Sequence, residues 1–162
     1  MAKRVSCRAI IFDNDNLLTM YREKNGTKYY SFAGGGIENN ETNEECVIRE
    51  VKEEFGIDVE VEKLVYVIES LDAKQYFYLC RWIDGEFGSG TGEEFCENYQ
   101  YGLYLPQLVS INKLKRIDLK PPEIAKKLIE DLDKYGISLS NEVYNIVIDY
   151  ANMGWKEFSN KK

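Results

Sequence analysis

Histidine is absent from this 162-residue chain. That absence excludes His-based catalytic triads and His zinc ligands, and it removes the usual general base near neutral pH. Cysteine is sparse: Cys7, Cys46, Cys80 and Cys96 are widely spaced and form no C-x-x-C pair, so neither a zinc site nor a redox motif is indicated. They read as reduced, small core residues. No apolar stretch approaches the roughly 20 residues that cross a bilayer. Met1-Ala2-Lys3-Arg4 runs straight into a strand-like segment without an apolar leader, so a soluble, cytoplasmic protein with no membrane partner is expected. Basic residues are outnumbered, 21 against 28 acids, for a formal net charge of −7. No long Lys/Arg cluster offsets this, so a nucleic-acid partner is not expected. A phosphate-bearing ligand would need a bridging cation or a small basic pocket. The 44% hydrophobic and 13% aromatic content excludes global disorder. With three prolines and no linker-like tract, one domain over residues 1–162 is expected, with a homodimer left open.

What is present begins with β-rich runs. Val5 to Phe12 and Leu17 to Tyr21 flank Asp13-Asn14-Asp15-Asn16, which reads as a hairpin turn. Lys28 to Phe32 reads as a third strand, ending at Gly34-Gly35-Gly36. The period then becomes helical from Thr42 to Phe55, opened by a Thr42/Glu45 capping box and closed by Gly56, with Ile48, Val51 and Phe55 as its apolar stripe. Strands follow over Val59 to Glu69 and Gln75 to Ile83, the latter apolar on both faces. Asp84 to Asn98 reads as a loop, and Tyr99 to Leu105 as a strand stopped by Pro106. Pro121-Pro122 opens a second helix through about Lys134. A C-terminal helical extension is expected from about residue 136, with a third helix from Leu139 to about Ala151. Strands mixed with helices predict an α/β domain in which helices flank a mixed sheet.

The first helix breaks several local rules at once. Glu50, Glu53 and Glu54 stand at i, i+3 and i+4 on one face, where each like-charge pair costs roughly 0.2–0.5 kcal/mol. They occupy the last turns, where the helix dipole disfavours each anion by about 0.3–1 kcal/mol. Such concentrated violations point to function. Mg²⁺, a hard cation that takes carboxylates, waters and phosphate oxygens, would relieve the repulsion and hold an anionic ligand. By itself E-x-x-E-E is more often a solvated acidic face.

The acids lie within a longer pattern. Gly35 is followed after five residues by Glu41, and after seven more by Arg49-Glu50-Val51-Lys52-Glu53-Glu54-Phe55-Gly56-Ile57. This resembles the Nudix box of the MutT-like hydrolases at every specified position. Tyr30-Ser31-Phe32-Ala33-Gly34-Gly35-Gly36-Ile37-Glu38 is similar to the segment that leads into the box, with Ala33 where members often have proline. The likeness spans about Val5 to Leu132. It implies an α/β/α sandwich and hydrolysis of a nucleoside diphosphate linked to another group X, with Mg²⁺ or Mn²⁺. It further implies Glu50, Glu53 and Glu54 as metal ligands, the Gly34 carbonyl as another, and Arg49 and Glu41 as residues that orient the acids. The plainer reading of Arg49 is a surface residue paired with Glu45.

Without histidine, a carboxylate must take the proton from the attacking water. Glu53 is one candidate. Some members use a loop glutamate, for which Glu93, Glu94 and Glu97 are available and Glu94 is preferred. The expected partner is a small nucleotide-type substrate, met by Arg8, Arg22, Gly35 and Gly36. Its identity stays open: position 72 is Asp rather than the proline of ADP-ribose pyrophosphatases, and Tyr76 only approximates a mark of diadenosine polyphosphate hydrolases. A Nudix-fold module that binds a nucleotide without cleaving it is the alternative function.

Overall fold

The computed structural model describes residues 3–90, 102–149 and 154–160, the last stretch and residue 149 by backbone only. Strand β1 (Arg4–Asp13) turns through Asn14, whose φ of 53° suits asparagine, into β2 (Asn16–Lys24). β3 (Thr27–Ser31) pairs antiparallel with β2, and the short β4 (Ala33–Gly36) returns antiparallel along β1. The glycine run that closes the third strand in sequence is therefore itself a strand.

Helix α1 (Asn43–Phe55) follows. The Thr42 hydroxyl accepts from the Glu45 amide at 3.1 Å, and the Glu45 carboxylate accepts from the Thr42 amide at 3.0 Å. Gly56 closes the helix in the left-handed region at φ 77°. The apolar stripe differs from the expected one. Cys46, Val47, Val51 and Phe55 are buried, whereas Ile48 is exposed, because the helix is rotated to place Val47 rather than Ile48 over the sheet.

β5 (Ile57–Glu69) and β6 (Ala73–Gly85) form a long antiparallel pair, and β6 runs parallel to β1. Phe77 and Leu79 join one apolar cluster while Tyr78 and Cys80 join the other, as a strand covered on both faces requires. β7 (Leu103–Ser110) pairs antiparallel with β2 and passes through Pro106 instead of stopping there. Among the described residues its only partner is β2, and a proline is tolerated where its missing N–H would face away from a ladder. A 3₁₀ segment, Ile111–Arg116, leads to β8 (Leu119–Lys120), which lies parallel to β3, and then to α2 (Pro122–Tyr135).

The expected third helix is absent. In its place lies β9 (Val143–Asp149), which runs parallel to β5, and beyond it β10 (Gly154–Asn160) pairs antiparallel with β9. Val143 and Ile146 are buried there, and this β-branched run pairs with the edge that β5 leaves open. The mixed sheet thus runs β10-β9-β5-β6-β1-β2-β3-β8, with β4 on β1 and β7 on β2.

The two helices cover opposite faces. Cys46, Val51 and Phe55 of α1 pack with Cys7, Ala9 and Ile11, while Ile124 and Leu128 of α2 pack with Ile10, Phe32 and Phe77. Cys7, Cys46 and Cys80 are buried free thiols, as expected; Cys96 lies outside the described residues. Among those residues no helix is long and apolar enough to cross a membrane.

Candidate active site

The last turns of α1 face β4. β1 and β4 pair antiparallel here, with Arg8 opposite Gly34 and Cys7 opposite Gly35, so β1 presents the glycine backbone to the helix. Gly34 has φ 154°, and a Cβ there would collide with the backbone of Cys7 and Arg8. A Cβ on Gly35 would lie 2.6 Å from Glu50 Oε1. Only glycine leaves that carboxylate its place.

Arg49 is the hub. Its Nε and Nη2 donate to the two oxygens of Glu41 at 2.6 and 3.0 Å, a bidentate pair. Nη1 donates to Glu50 at 3.0 Å and to Glu53 at 3.3 Å, and Nη2 to the Gly36 carbonyl at 3.3 Å. Glu45 is engaged in the cap, so the plainer pairing of Arg49 with Glu45 does not form. The guanidinium holds the Glu41 carboxyl down at about 2, and the Glu41 and Glu50 carboxylates in turn push the Arg49 pKa up. Burial pushes the Glu50 carboxyl upward, against the pull of Arg49. Glu53 is more open, 45% exposed at its side chain against 14% for Glu50.

Glu54 turns the other way and accepts from the Gly34 amide at 3.0 Å. The carbonyl of the same residue accepts from Arg8 Nη1 at 3.3 Å, and Arg8 also donates to the Phe32 carbonyl at 3.2 Å and to Gln75 at 3.4 Å. Desolvation lowers the Arg8 pKa, and the charges of Glu54 and Glu50 oppose that shift. Gly34 is therefore the joint between an acidic helix face and a basic side chain.

Beyond Arg8 opens a cavity of about 450 Å³. Arg22, Tyr29, Gln75 and Lys120 line it with Arg8, and Pro121-Pro122 close one side. Arg22 enters from β2 directly opposite Tyr29, and Lys120 enters because β8 sets it opposite Ser31. Lys120, Tyr29 and Gln75 escape a reading of the sequence, since only these non-local strand pairings bring them to Arg8 and Arg22.

Glu41, Arg49, Glu50, Glu53, Glu54, Gly34, Gly35, Gly36 and Arg8 thus fall in one place, and Arg22 shares the adjoining cavity. Glu94, with Glu93 and Glu97, lies outside the described residues. The first part of the loop, Glu86 to Gly90, sits against the end of α1: the Gly88 amide donates to the Phe55 carbonyl at 2.9 Å and Ser89 Oγ to the Gly56 carbonyl at 3.3 Å. Asp72 is exposed, and Tyr76 is half-buried with Lys74 over its ring. Among the described residues no three acidic or thiol side chains converge at metal-ligand spacing, since Arg49 draws Glu50 and Glu53 while Glu54 turns to Gly34. The donor set still suits a hard divalent cation: three carboxylates and a main-chain carbonyl, with the Gly35 backbone cut back to admit Glu50.

Known proteins resemble this chain in sequence and in fold. The chain is 41% identical over 64 residues to an ADP-ribose pyrophosphatase of Methanocaldococcus jannaschii, a match covering 38% of each chain. It is 44% identical over 54 residues to an NAD-capped RNA hydrolase of Vibrio atlanticus, covering 33% of this chain and 20% of that protein. The matched stretches are thus well under half the length of these curated relatives. A NUDIX hydrolase structure from Nitrosomonas europaea superposes with a TM-score of 0.66 at 18% identity, over 83% of this chain and 74% of that one. That likeness speaks for the fold. The family model described as NUDIX domain matches residues 2–125, which contain the acid helix, the glycine strand and both arginines of the cavity, and the chain belongs to that family.

Proposed function

We propose that this protein hydrolyses a phosphoric anhydride bond in a nucleoside diphosphate linked to a further group. One observation carries the reading: the acidic end of α1 and the basic cavity meet at Gly34, whose amide binds Glu54 and whose carbonyl binds Arg8. A diphosphate lying across that joint would have a cation-binding face on one side and guanidinium donors on the other.

Glu50, Glu53, Glu54 and the Gly34 carbonyl would hold the metal, Mg²⁺ or Mn²⁺. When bound, it would polarise the phosphoryl oxygens and make a nearby water more acidic. Arg49, anchored by Glu41, fixes where Glu50 and Glu53 point, and it supplies countercharge to the acid face in the absence of a ligand. Glu53, the most exposed of the Arg49-bound acids on the helix, takes the proton of the attacking water; Glu94 is the competing base. Arg8 and Arg22 meet the phosphates, and the backbone of Gly35 and Gly36 lets them approach closely.

The test is a panel of nucleoside diphosphate derivatives, assayed for nucleoside monophosphate with and without Mg²⁺. Metal-dependent release from at least one compound is expected. Binding of a nucleotide with no cleavage in any arm would replace this reading with that of a binding module.

A further inference from the structure

We propose that Cys46 is a positioning residue of the site: its buried thiol spaces α1 from the glycine strand and thereby fixes Glu50 and Arg49 against that strand. This rests on the reading above of Glu50 as a ligand of the cation.

Cys46 stands one helical turn before both residues, with Arg49 at i+3 and Glu50 at i+4, so the three share a face of α1. Its sulfur is where that face touches β4. The thiol donates towards the Gly35 and Gly36 carbonyls, each 3.6 Å away. From the helix side, Arg49 Nη2 donates to the same sulfur at 3.8 Å. That Nη2 also donates to the Gly36 carbonyl at 3.3 Å and to Glu41 at 3.0 Å. Gly35 is thus met twice by one helix face, at its carbonyl by Cys46 and beside its Cα by Glu50.

Hydrogen bonds of sulfur are individually weak. Their placement is what gives them effect. Gly35 and Gly36 directly follow Gly34, whose amide binds Glu54, so the gap that the sulfur fills is felt at both acids. Cys46 is fully buried and packs with Cys7, Val47 and Val51. Cys7, opposite Gly35 on β1, hydrogen-bonds it. Burial, aided by the Glu41 carboxylate, pushes the Cys46 thiol up to about 11, so at neutral pH the sulfur keeps the proton that it donates. Cys80 is buried too, but its thiol donates within its own strand, to the Tyr78 carbonyl at 3.6 Å. The two thiols fill space alike, and Cys46 in addition ties three segments of the site together.

The experiment measures Mn²⁺ binding to the full chain by electron paramagnetic resonance, with circular dichroism and melting on the same samples. It compares wild type with Cys46→Ala, Cys46→Ser and Val47→Ala, the last a neighbour on α1 that is equally buried. Cys46→Ala should fold and bind Mn²⁺ roughly threefold to tenfold more weakly, as loss of one hydrogen-bonding group implies. Cys46→Ser, which keeps a donor on a shorter bond, should recover part of that loss. Val47→Ala opens a cavity and should melt lower, yet bind Mn²⁺ within about twofold of wild type. Equal Mn²⁺ affinity in wild type and Cys46→Ala, or an equal loss in Val47→Ala, would overturn the assignment of Cys46 and leave the metal reading standing. Wild-type protein that binds no Mn²⁺ would overturn the metal reading, and the assignment with it.

Discussion

Helices α1 and α2 are nearly the same length, 13 and 14 residues, and each carries buried apolar residues on one face, yet they handle acidic residues in opposite ways. α2 follows the dipole: Glu123 sits in its first turn and Lys134 in its last. Its one buried acid, Asp131, is fully provided for, accepting from the Tyr66 hydroxyl at 2.8 Å and pairing with Lys127 at 3.1 Å. α1 has Glu44 and Glu45 where the dipole wants them, but Glu53 and Glu54 stand at the wrong end. There Glu50 and Glu53 compete with Glu41 for a single guanidinium. An acid satisfied within the fold supports structure. Of the three acids crowded around one shared cation, Glu53 alone is 45% exposed, and it and Glu50 belong to the metal site proposed above.

The contrast can be broken by exchanging the expected consequences. Glu53→Gln removes a charge that the helix end disfavours, so circular dichroism and melting should show an intact fold. Turnover should nevertheless fall by about 10²–10⁴, the range lost with a general base. A folded variant of near-normal turnover would remove Glu53 from its role, and a matching loss in Glu94→Gln would move the base to the loop. Asp131→Ala in α2 should do the reverse. It strands the Tyr66 hydroxyl and the Lys127 ammonium, and, with Lys127 still partly solvated, should cost about 2–3 kcal/mol in chemical denaturation. Activity per folded molecule should stay within about twofold, because Asp131 packs on the face away from α1; a large kcat loss would show that the division between the helices is false.

The smallest effect concerns pH. Arg49 depresses the Glu41 carboxyl from its usual 4.5 to about 2. A carboxyl whose folded pKa is lowered contributes stability that is complete above its unfolded pKa and disappears as pH falls through its folded one. The stability difference between wild type and Glu41→Gln should therefore be constant above about pH 4.5 and shrink between there and about pH 2. Denaturation curves across that interval that keep a constant difference would show that the bidentate pair is not what holds Glu41.

Local chemistry was the readable part of this chain. The Thr42/Glu45 cap, the left-handed Gly56, the Asn14 turn and the proline start of α2 each follow from a few adjacent residues. Four features did not. The strand over Val143–Asp149 reads as a helix because its pairing partner, β5, lies far away in sequence. Pro106 reads as a terminator until its strand proves to have a single neighbour among the described residues. Ile48 and Val47 are equivalent in hydrophobicity, and only docking on the sheet decides between them. At the site, the acids were legible through their fixed spacing on one helix. Lys120 was not, because a two-residue strand after a 3₁₀ segment brings it to Arg22.

The segment from Gly88 to Gly90 braces the C-terminal end of α1. Helix ends ordinarily fray, and the turn bearing Glu53 and Glu54 is an end. Here carbonyls at that end are covered: the Gly88 amide donates to Phe55 and the Ser89 hydroxyl to Gly56, and a Cβ at Gly90 would press within 2.5 Å of the Glu53 carbonyl. A short splint, main chain at Gly88 and Gly90 and a hydroxyl at Ser89, thus braces the turn. A single added methyl at Gly90, whose nearest contacts would be the main chain of Glu53 and Glu54, would be felt as a displacement of their carboxylates.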